Sequence, residues 1–379
     1  MLDDVRLHAH LIGQSGSRRE LNTPVLVLDR DALGRNVQKM AALAKSAGVA
    51  LRPHAKTHKS LAIARMQLDA GAIGLCCTKL GEAEVLASGG VESILITSPV
   101  VSEPAIERLS ALNSRVADLM VCVDNPVNVA ALAAAARERP LKIIIDVDPG
   151  IRRTGVGSIE AAVALLQAVH SSGNLVFKGV QMYCVIQQHI KDYKERYAAI
   201  EDRTAYLRSI IAALEESDGA AAIVTGSGTG THHIDAQLGL LTEWQVGSYV
   251  FMDRQYAECD LAGDKEQAFE YSLFIDARVV SANTRGIATI DAGYKAMATD
   301  GGPPVVLAGA PHGSNYIFMG DEHGLIVDPT QKHVWSIGDI VHLAVPHCDP
   351  TVNLYDAYHV VSGETLQDVW PVSARGRSR

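Results

Sequence analysis

The stretch LMVCVDNPVNVAALAAAARERPLKIIIDV, residues 119–147, decides the fold. It opens on a short apolar run (119–123), passes through an Ala/Leu-rich amphipathic segment (126–137), and returns to a second run rich in β-branched residues (142–147). Runs of this length and composition read as strands, and the segment between them reads as a helix. A strand, a helix and a second strand in this order imply parallel pairing.

Outward from this unit the same alternation repeats. Strand-like runs fall at 49–52, 73–76, 93–97, 119–123, 142–147, 176–182, 222–225 and 244–246. Helix-like segments lie between them at 60–70, 79–87, 103–111, 126–137, 158–169 and 191–217. Eight repeats predict closure into a (β/α)8 TIM-like barrel, because open doubly wound sheets more often stop at five or six strands. After residue 262 the texture changes. Helical periodicity fades, and Val-, Ile- and Tyr-rich runs alternate with Gly/Asp turns at 269–280, 286–291, 305–307, 316–318, 334–336 and 340–345. The expected architecture is α/β plus all-β: a leader (1–22) packing with the β domain, a barrel (23–262), and a C-terminal antiparallel β domain (263–379). The run 25–28, after Thr23-Pro24, does not fit the eightfold alternation and is expected to join the β domain, bringing the chain ends together.

Bulk composition narrows the function classes. A chain of 379 residues exceeds one ordinary small core, and 47% apolar with 20% charged residues describes a globular protein. A net charge of -9 argues against a nucleic-acid surface. The basic run Arg375, Arg377 and Arg379 reads as a solvated end, and His8/His10 as part of a mobile leader. Six scattered cysteines without a CxxC suggest reduced thiols, the opening MLDDVRLHAH lacks signal-peptide character, and no run reaches membrane-spanning length. A soluble cytoplasmic protein is expected.

In a parallel barrel the chemistry belongs at the carboxyl ends of the strands. Past the first run stands RPHAKTHK (52–59), past the fifth Asp148 with Arg152 and Arg153, past the sixth Tyr183 to His189. The seventh leads into TGSGTGT (225–231) and the eighth into Gly247-Ser248-Tyr249. Three glycines among small hydroxyl residues let backbone N–H groups converge on an anion, and barrels often hold phosphate after strands seven and eight. The alternative is a flexible turn. No GKS or GKT closes the loop, so it is not a nucleotide-triphosphate loop of the Walker kind. A phosphate anchor with a lysine after the first strand suggests pyridoxal phosphate, whose aldehyde needs an amine. Lys56, Lys59 and Lys79 compete for that role on position alone.

RPHAKTHK (52–59), GSYVFMD (247–253), HCDP (347–350) and WPVSARG (370–376) together resemble the D-threonine aldolase family of fold-type III pyridoxal-phosphate enzymes, with 3-hydroxy-D-aspartate aldolase close by. The resemblance spans nearly the whole chain. It implies that Lys56 carries the cofactor, with His54 beside the ring and Arg153 and Tyr183 near cofactor or substrate. It also implies that Ser227, Gly228, Thr229 and Gly230 hold the phosphate with Gly247, Ser248 and Tyr249. His347 and Asp349 match the family's metal ligands, and on an extended segment two residues apart they would face one side. Such a pair suits Mn²⁺ foremost, with Mg²⁺, Co²⁺ or Zn²⁺ as alternatives. His189 is the expected base for the β-hydroxyl proton, Cα–Cβ cleavage giving glycine and an aldehyde. The resemblance further implies a homodimer with the active site at the subunit interface.

Rival readings use the same parts. A D-serine or D-3-hydroxyaspartate dehydratase of similar fold would carry His-x-Cys where this chain has His347-Cys348-Asp349, and a carboxylate suits an exchangeable hard cation better than a thiolate does. A non-catalytic pyridoxal-phosphate carrier would be a single-domain barrel without the β domain. The segment Cys184-Val185-Ile186 is bulkier than the family's small residues there, and both Val185 and Ile186 are expected to reshape the substrate pocket.

Overall fold

The computed structural model describes residues 3–379, so Met1 and Leu2 of the expected leader lie outside the described residues. After β1 (Val25–Asp29), which belongs to the second sheet, eight strands alternate with helices: β2 (Ala50–Leu51), β3 (Leu75–Cys77), β4 (Ser93–Ile96), β5 (Asp118–Val123), β6 (Leu141–Val147), β7 (Leu175–Met182), β8 (Ile223–Gly226) and β9 (Glu243–Trp244). Every neighbouring pair is parallel, in the order β2-β9-β8-β7-β6-β5-β4-β3. A parallel bridge from His54 to Cys76 joins the two ends, and the sheet curls into the expected barrel.

The side-chain period of two explains why these runs are largely apolar. Cys76, Leu95, Met120, Cys122 and Ile144 fill the barrel interior. Their sequence neighbours, among them Leu119, Val121, Ile143 and Ile145, face the helical layer. A strand buried on both faces admits few polar residues, and those buried here are paired, Asp146 with Gln181 and Glu243 with Arg52. The longest helix to escape the sequence reading is Arg30–Ser46, capped by Asp29, whose carboxylate accepts from the N–H groups of Asp31 and Ala32. Its Asn36 donates to Val250 O at 3.1 Å, bracing the turn after β9 from behind.

The second sheet contains β1, β10 (Leu273–Thr284), β11 (Ile287–Ile290), β12 (Val305–Ala308), β13 (Asn315–Phe318), β14 (Gly324–Val327), β15 (Ile340–Ala344), β16 (Ala357–Ser362) and β17 (Thr365–Pro371). It is mixed, not purely antiparallel, because β1 lies between β10 and β16 and runs parallel to β16. The chain therefore leaves the β domain only after Asp29, later than the boundary at residue 23 drawn from the sequence. The expected strand at 334–336 is irregular. The Asp328 carboxylate takes the N–H groups of Lys332 and His333, and Asp339 takes that of Ser336, so side chains satisfy backbone groups that a ladder would use.

The described part of the leader is docked, which corrects the expectation of a mobile one, and the tail is tied down by its backbone while Arg375, Arg377 and Arg379 keep their side chains exposed, as a solvated basic run should. His8 is buried, and its Nε2 accepts from Asn22 N at 3.1 Å. Its proton thus sits on Nδ1, 2.9 Å from His359 Nε2. Asp4, His8 and His359 form a possible metal grouping by proximity. The tautomer, however, leaves neither His8 nitrogen with a lone pair for a cation. At the other end Ala374 N donates to Lys59 O and Gly81 N to Arg379 O, both at 2.9 Å. Among the described residues no helix is long and apolar enough to cross a membrane.

Candidate active site

The carboxyl ends of the barrel strands open into a cavity of about 410 Å³, roofed by residues 347–349 of the β domain. Lys56 is the only lysine on its wall. Lys59 is committed elsewhere: its ammonium lies 3.1 Å from Glu82 and donates to Asn353 and Ser378. Lys79 opens the helix Leu80–Ser88, away from the cavity. The competition among three lysines is thus resolved by burial and pairing. Lys56 Nζ lies 2.5 Å from Asp349 Oδ1. Burial works against both charges, yet each holds the other ionised: the Lys56 ammonium is kept well above its ordinary range and the Asp349 carboxyl well below its own. His54, on the same loop, donates to or accepts from Thr97 Oγ1 at 3.1 Å, and burial keeps its ring neutral.

Gly228, Thr229, Gly247 and Ser248 line the same cavity, Gly247 beside the loop that carries Lys56. Their backbone N–H groups donate to no backbone carbonyl among the described residues. A Cβ on Gly247 would stand 2.6 Å from Thr57 Oγ1, and one on Gly228 2.4 Å from Gln188 Oε1. Small residues are required there, and N–H donors without a backbone partner lie along the cavity; this fits the phosphate of pyridoxal phosphate. Three residues expected in this cradle stand behind it. Gly230 donates to Gln188 Oε1 and is small because Gln188 O would lie 2.1 Å from its Cβ. Tyr249 is buried, its OH accepting from Gln67 and its N–H bonding Thr229 Oγ1. Ser227 is buried outside the cavity wall with φ 71°.

His347 and Asp349 reach the cavity together, though not from an extended segment. His347 caps the short helix Cys348–Val352, and Asp349 lies in its first turn. Asp300 Oδ2 sits 2.7 Å from His347 Nδ1, leaving Nε2 as the nitrogen available to the cavity. His189 stands on the 3₁₀ turn Gln187–His189 with its ring 4.7 Å from that of Tyr256. Burial, followed by the nearby His347 and Lys56, lowers its proton affinity, so the imidazole is a free base at neutral pH. The Arg153 guanidinium lies 5.8 Å from the Tyr183 ring centroid, and both line the cavity.

Several lining residues were not singled out from sequence. Gln245 donates to Gln181 Oε1 and Thr225 Oγ1, both at 3.0 Å, and Gln181 donates to Asp146 Oδ1 at 2.9 Å. Burial raises the Asp146 carboxyl to about 6. Each of these residues lies at or just past a barrel-strand end, the one signal that could have found them. Tyr256 and Asp300 carried none, since both sit in segments without strand or motif.

The barrel, its lysine and the N–H cradle define a pyridoxal-phosphate enzyme with the alanine racemase type of fold. Residues 28–255 match the family "alanine racemase, N-terminal domain" and residues 272–361 the "putative serine dehydratase domain". The chain is 38% identical over 364 residues to 3-hydroxy-D-aspartate aldolase of Paracoccus denitrificans (strain Pd 1222), covering 94% of this chain and 93% of that protein. It is 37% identical over 361 residues to D-threonine aldolase of an Arthrobacter species, covering 95% and 94%. The crystal structure of D-threonine aldolase from Filomicrobium marinum superposes with a TM-score of 0.90 at 38% identity, covering 94% of this chain and 97% of that one. The chain belongs to the D-threonine aldolase family of fold-type III pyridoxal-phosphate enzymes and is a carbon–carbon lyase.

Proposed function

We propose that this protein is a pyridoxal-phosphate- and divalent-metal-dependent aldolase of the D-threonine type, cleaving D-β-hydroxy-α-amino acids to glycine and an aldehyde. The observation that carries the reading is the convergence, in one cavity, of its only lysine with a His/Asp pair and a neutral histidine.

Lys56 would hold the cofactor, and the N–H groups of Gly228, Thr229, Gly247 and Ser248 its phosphate. Bound there, the cofactor supplies the electron sink for bond breaking at Cα. His347 and Asp349 would hold the cation, Mn²⁺ best matching an imidazole–carboxylate donor set with room for water and substrate; its chemistry is Lewis acidity at the substrate hydroxyl. Charge balance supports this. Asp349 is a buried carboxylate held beside a cation, the Lys56 ammonium at 2.5 Å, and a metal ion would meet the same demand. Arg153 offers a guanidinium for the substrate carboxylate, and Tyr183 packs beneath it. His189 takes the β-hydroxyl proton as the Cα–Cβ bond breaks, and a proton returned to Cα leaves glycine. Tyr256 holds the His189 ring in place.

The same reading makes the protein a homodimer, the β domain of each subunit covering its partner's barrel mouth. It is supported by the exposed apolar side chains Tyr294, Ile317 and Met319 on that domain. Six unpaired, buried cysteines support a cytoplasmic setting. The test is incubation with pyridoxal phosphate and Mn²⁺ on D-threonine and on D-3-hydroxyaspartate, with glycine quantified against ammonia. Glycine with acetaldehyde or glyoxylate is the expected outcome and ranks the two substrates. Ammonia with a 2-oxo acid would replace this reading with the dehydratase one.

A further inference from the structure

Asp253 is fully buried and takes no part in lining the cavity. It touches no cation, yet both its oxygens are occupied. Oδ1 accepts from Tyr256 N at 3.1 Å, capping the four-residue helix Arg254–Ala257. Oδ2 accepts from Cys348 N at 3.0 Å and from Cys348 Sγ at 3.2 Å. The residue before it, Met252, is held at φ 50° although it is a buried, unbranched side chain. Such a backbone persists only where its surroundings over-determine it.

The two elements gripped by this carboxylate are neighbours, joined also by Arg254 N to Val345 O at 3.1 Å and Gln255 N to Pro346 O at 3.4 Å, and each supports residues of the cavity. Tyr256 supports His189, and Cys348 lies between His347 and Asp349 on the chain. The Cys348 side chain turns into the core and donates its proton, so it stays a thiol and is not itself a ligand. The bond to its N–H and the bond to its Sγ fix both the position and the roll of the helix Cys348–Val352. That roll decides where the Asp349 carboxylate and the His347 ring point.

We propose that Asp253 is a positioning residue that sets the spacing between the base wall (His189, Tyr256) and the metal wall (His347, Asp349), acting on the latter through Cys348. The inference rests on the metal reading proposed above. A carboxylate is required because two acceptor oxygens serve two separate N–H groups and a thiol; an amide offers one acceptor and turns a donor toward the other element. Losing an outer partner of metal ligands costs about 10–100-fold in metal affinity.

The test uses the full chain loaded with pyridoxal phosphate and titrated by calorimetry with Mn²⁺ alone. Cofactor loading is followed separately by absorbance. Asp253→Ser keeps the cap on Tyr256 N but is too short to reach Cys348. Its Mn²⁺ affinity is expected to fall about 10–100-fold with cofactor loading retained. Affinity within twofold of the unaltered protein overturns the proposal. So does a parallel loss of cofactor and metal, the signature of general collapse. Should Asp253→Ser fail to fold, Asp253→Asn decides, since it keeps the side-chain shape and removes one acceptor: a weaker Mn²⁺ affinity with normal cofactor loading supports the proposal, and unchanged affinity overturns it. Absence of Mn²⁺ binding in the unaltered protein is a separate result, which strikes down the metal reading and this inference with it.

Discussion

One set of cavity residues, Gly228, Thr229, Gly247 and Ser248, offers main-chain N–H donors. The other offers side chains, His347 and Asp349 on a five-residue helix and His189 on a 3₁₀ turn. The first set is carried by loops following β8 and β9 and depends on side chains being absent. The second depends on ring and carboxylate orientations, each held by an outer partner: Asp300 for His347, Lys56 for Asp349, Tyr256 for His189. An anion nest tolerates any small residue that keeps its backbone path. A side-chain site fails when a rotamer turns.

Lys56 joins the two sets, and its removal is expected to have the largest effect. Lys56→Ala should lose activity to background and form no borohydride-fixable cofactor adduct, measured by absorbance after reduction. Survival of such an adduct would transfer the role to another amine. Asp349→Ala should abolish metal dependence together with activity while cofactor still binds, so the sets separate cleanly; full turnover in chelator would dismiss the metal wall. His189→Ala should retain both cofactor and metal while slowing turnover by about 10²–10⁴-fold, the usual worth of a general base. Because burial, followed by the nearby His347 and Lys56, disfavours the His189 proton, the base stays free on acidification past the ordinary imidazole value of about 6.5. The acid limb of kcat/KM should therefore fall below that pH and vanish in the alanine variant.

Breaking the main-chain set takes an added atom instead. Gly247→Ala should weaken cofactor binding by about ten- to hundredfold through overpacking against Thr57, with Mn²⁺ affinity little changed. The smallest effect concerns selectivity. Val185 lines the cavity, whereas Ile186 is 64% exposed and does not, which narrows the sequence expectation to one residue. Val185→Gly should shift relative kcat/KM between D-threonine and bulkier substrates by about tenfold, and Ile186→Gly should leave the ratio alone.

The barrel was legible because each of its strands is buried on both faces, so apolar runs such as 119–123 and 142–147 stand out without any alignment. The β domain was less so. Strands Gly324–Val327, Ala357–Ser362 and Thr365–Pro371 are short or broken by Gly, His and Asp, and Asp328 diverted the apparent strand at 334–336 into a side-chain-capped loop. Lys56, His54, Arg153, Tyr183, His189, His347 and Asp349 were all legible as motif residues, and all line the cavity. Ser227, Gly230 and Tyr249 share the same motifs but serve the frame behind it. Spacing places a residue in a loop and does not say which way it faces.

Sequence by itself determined the repeat of strand and helix, the glycine loop and the candidate lysine, because these depend on local periodicity and on residue type. Tertiary structure decided what depends on contacts between distant segments. It decided that Lys56 and not Lys59 faces the cavity, that β1 joins the C-terminal sheet in parallel, and which distant groups stand beside the cavity residues: Tyr256 against His189, Asp300 on His347 and Asp253 on Cys348. Asp300 is 47 residues from His347 and Asp253 is 95 from Cys348, separations across which no local pattern carries information.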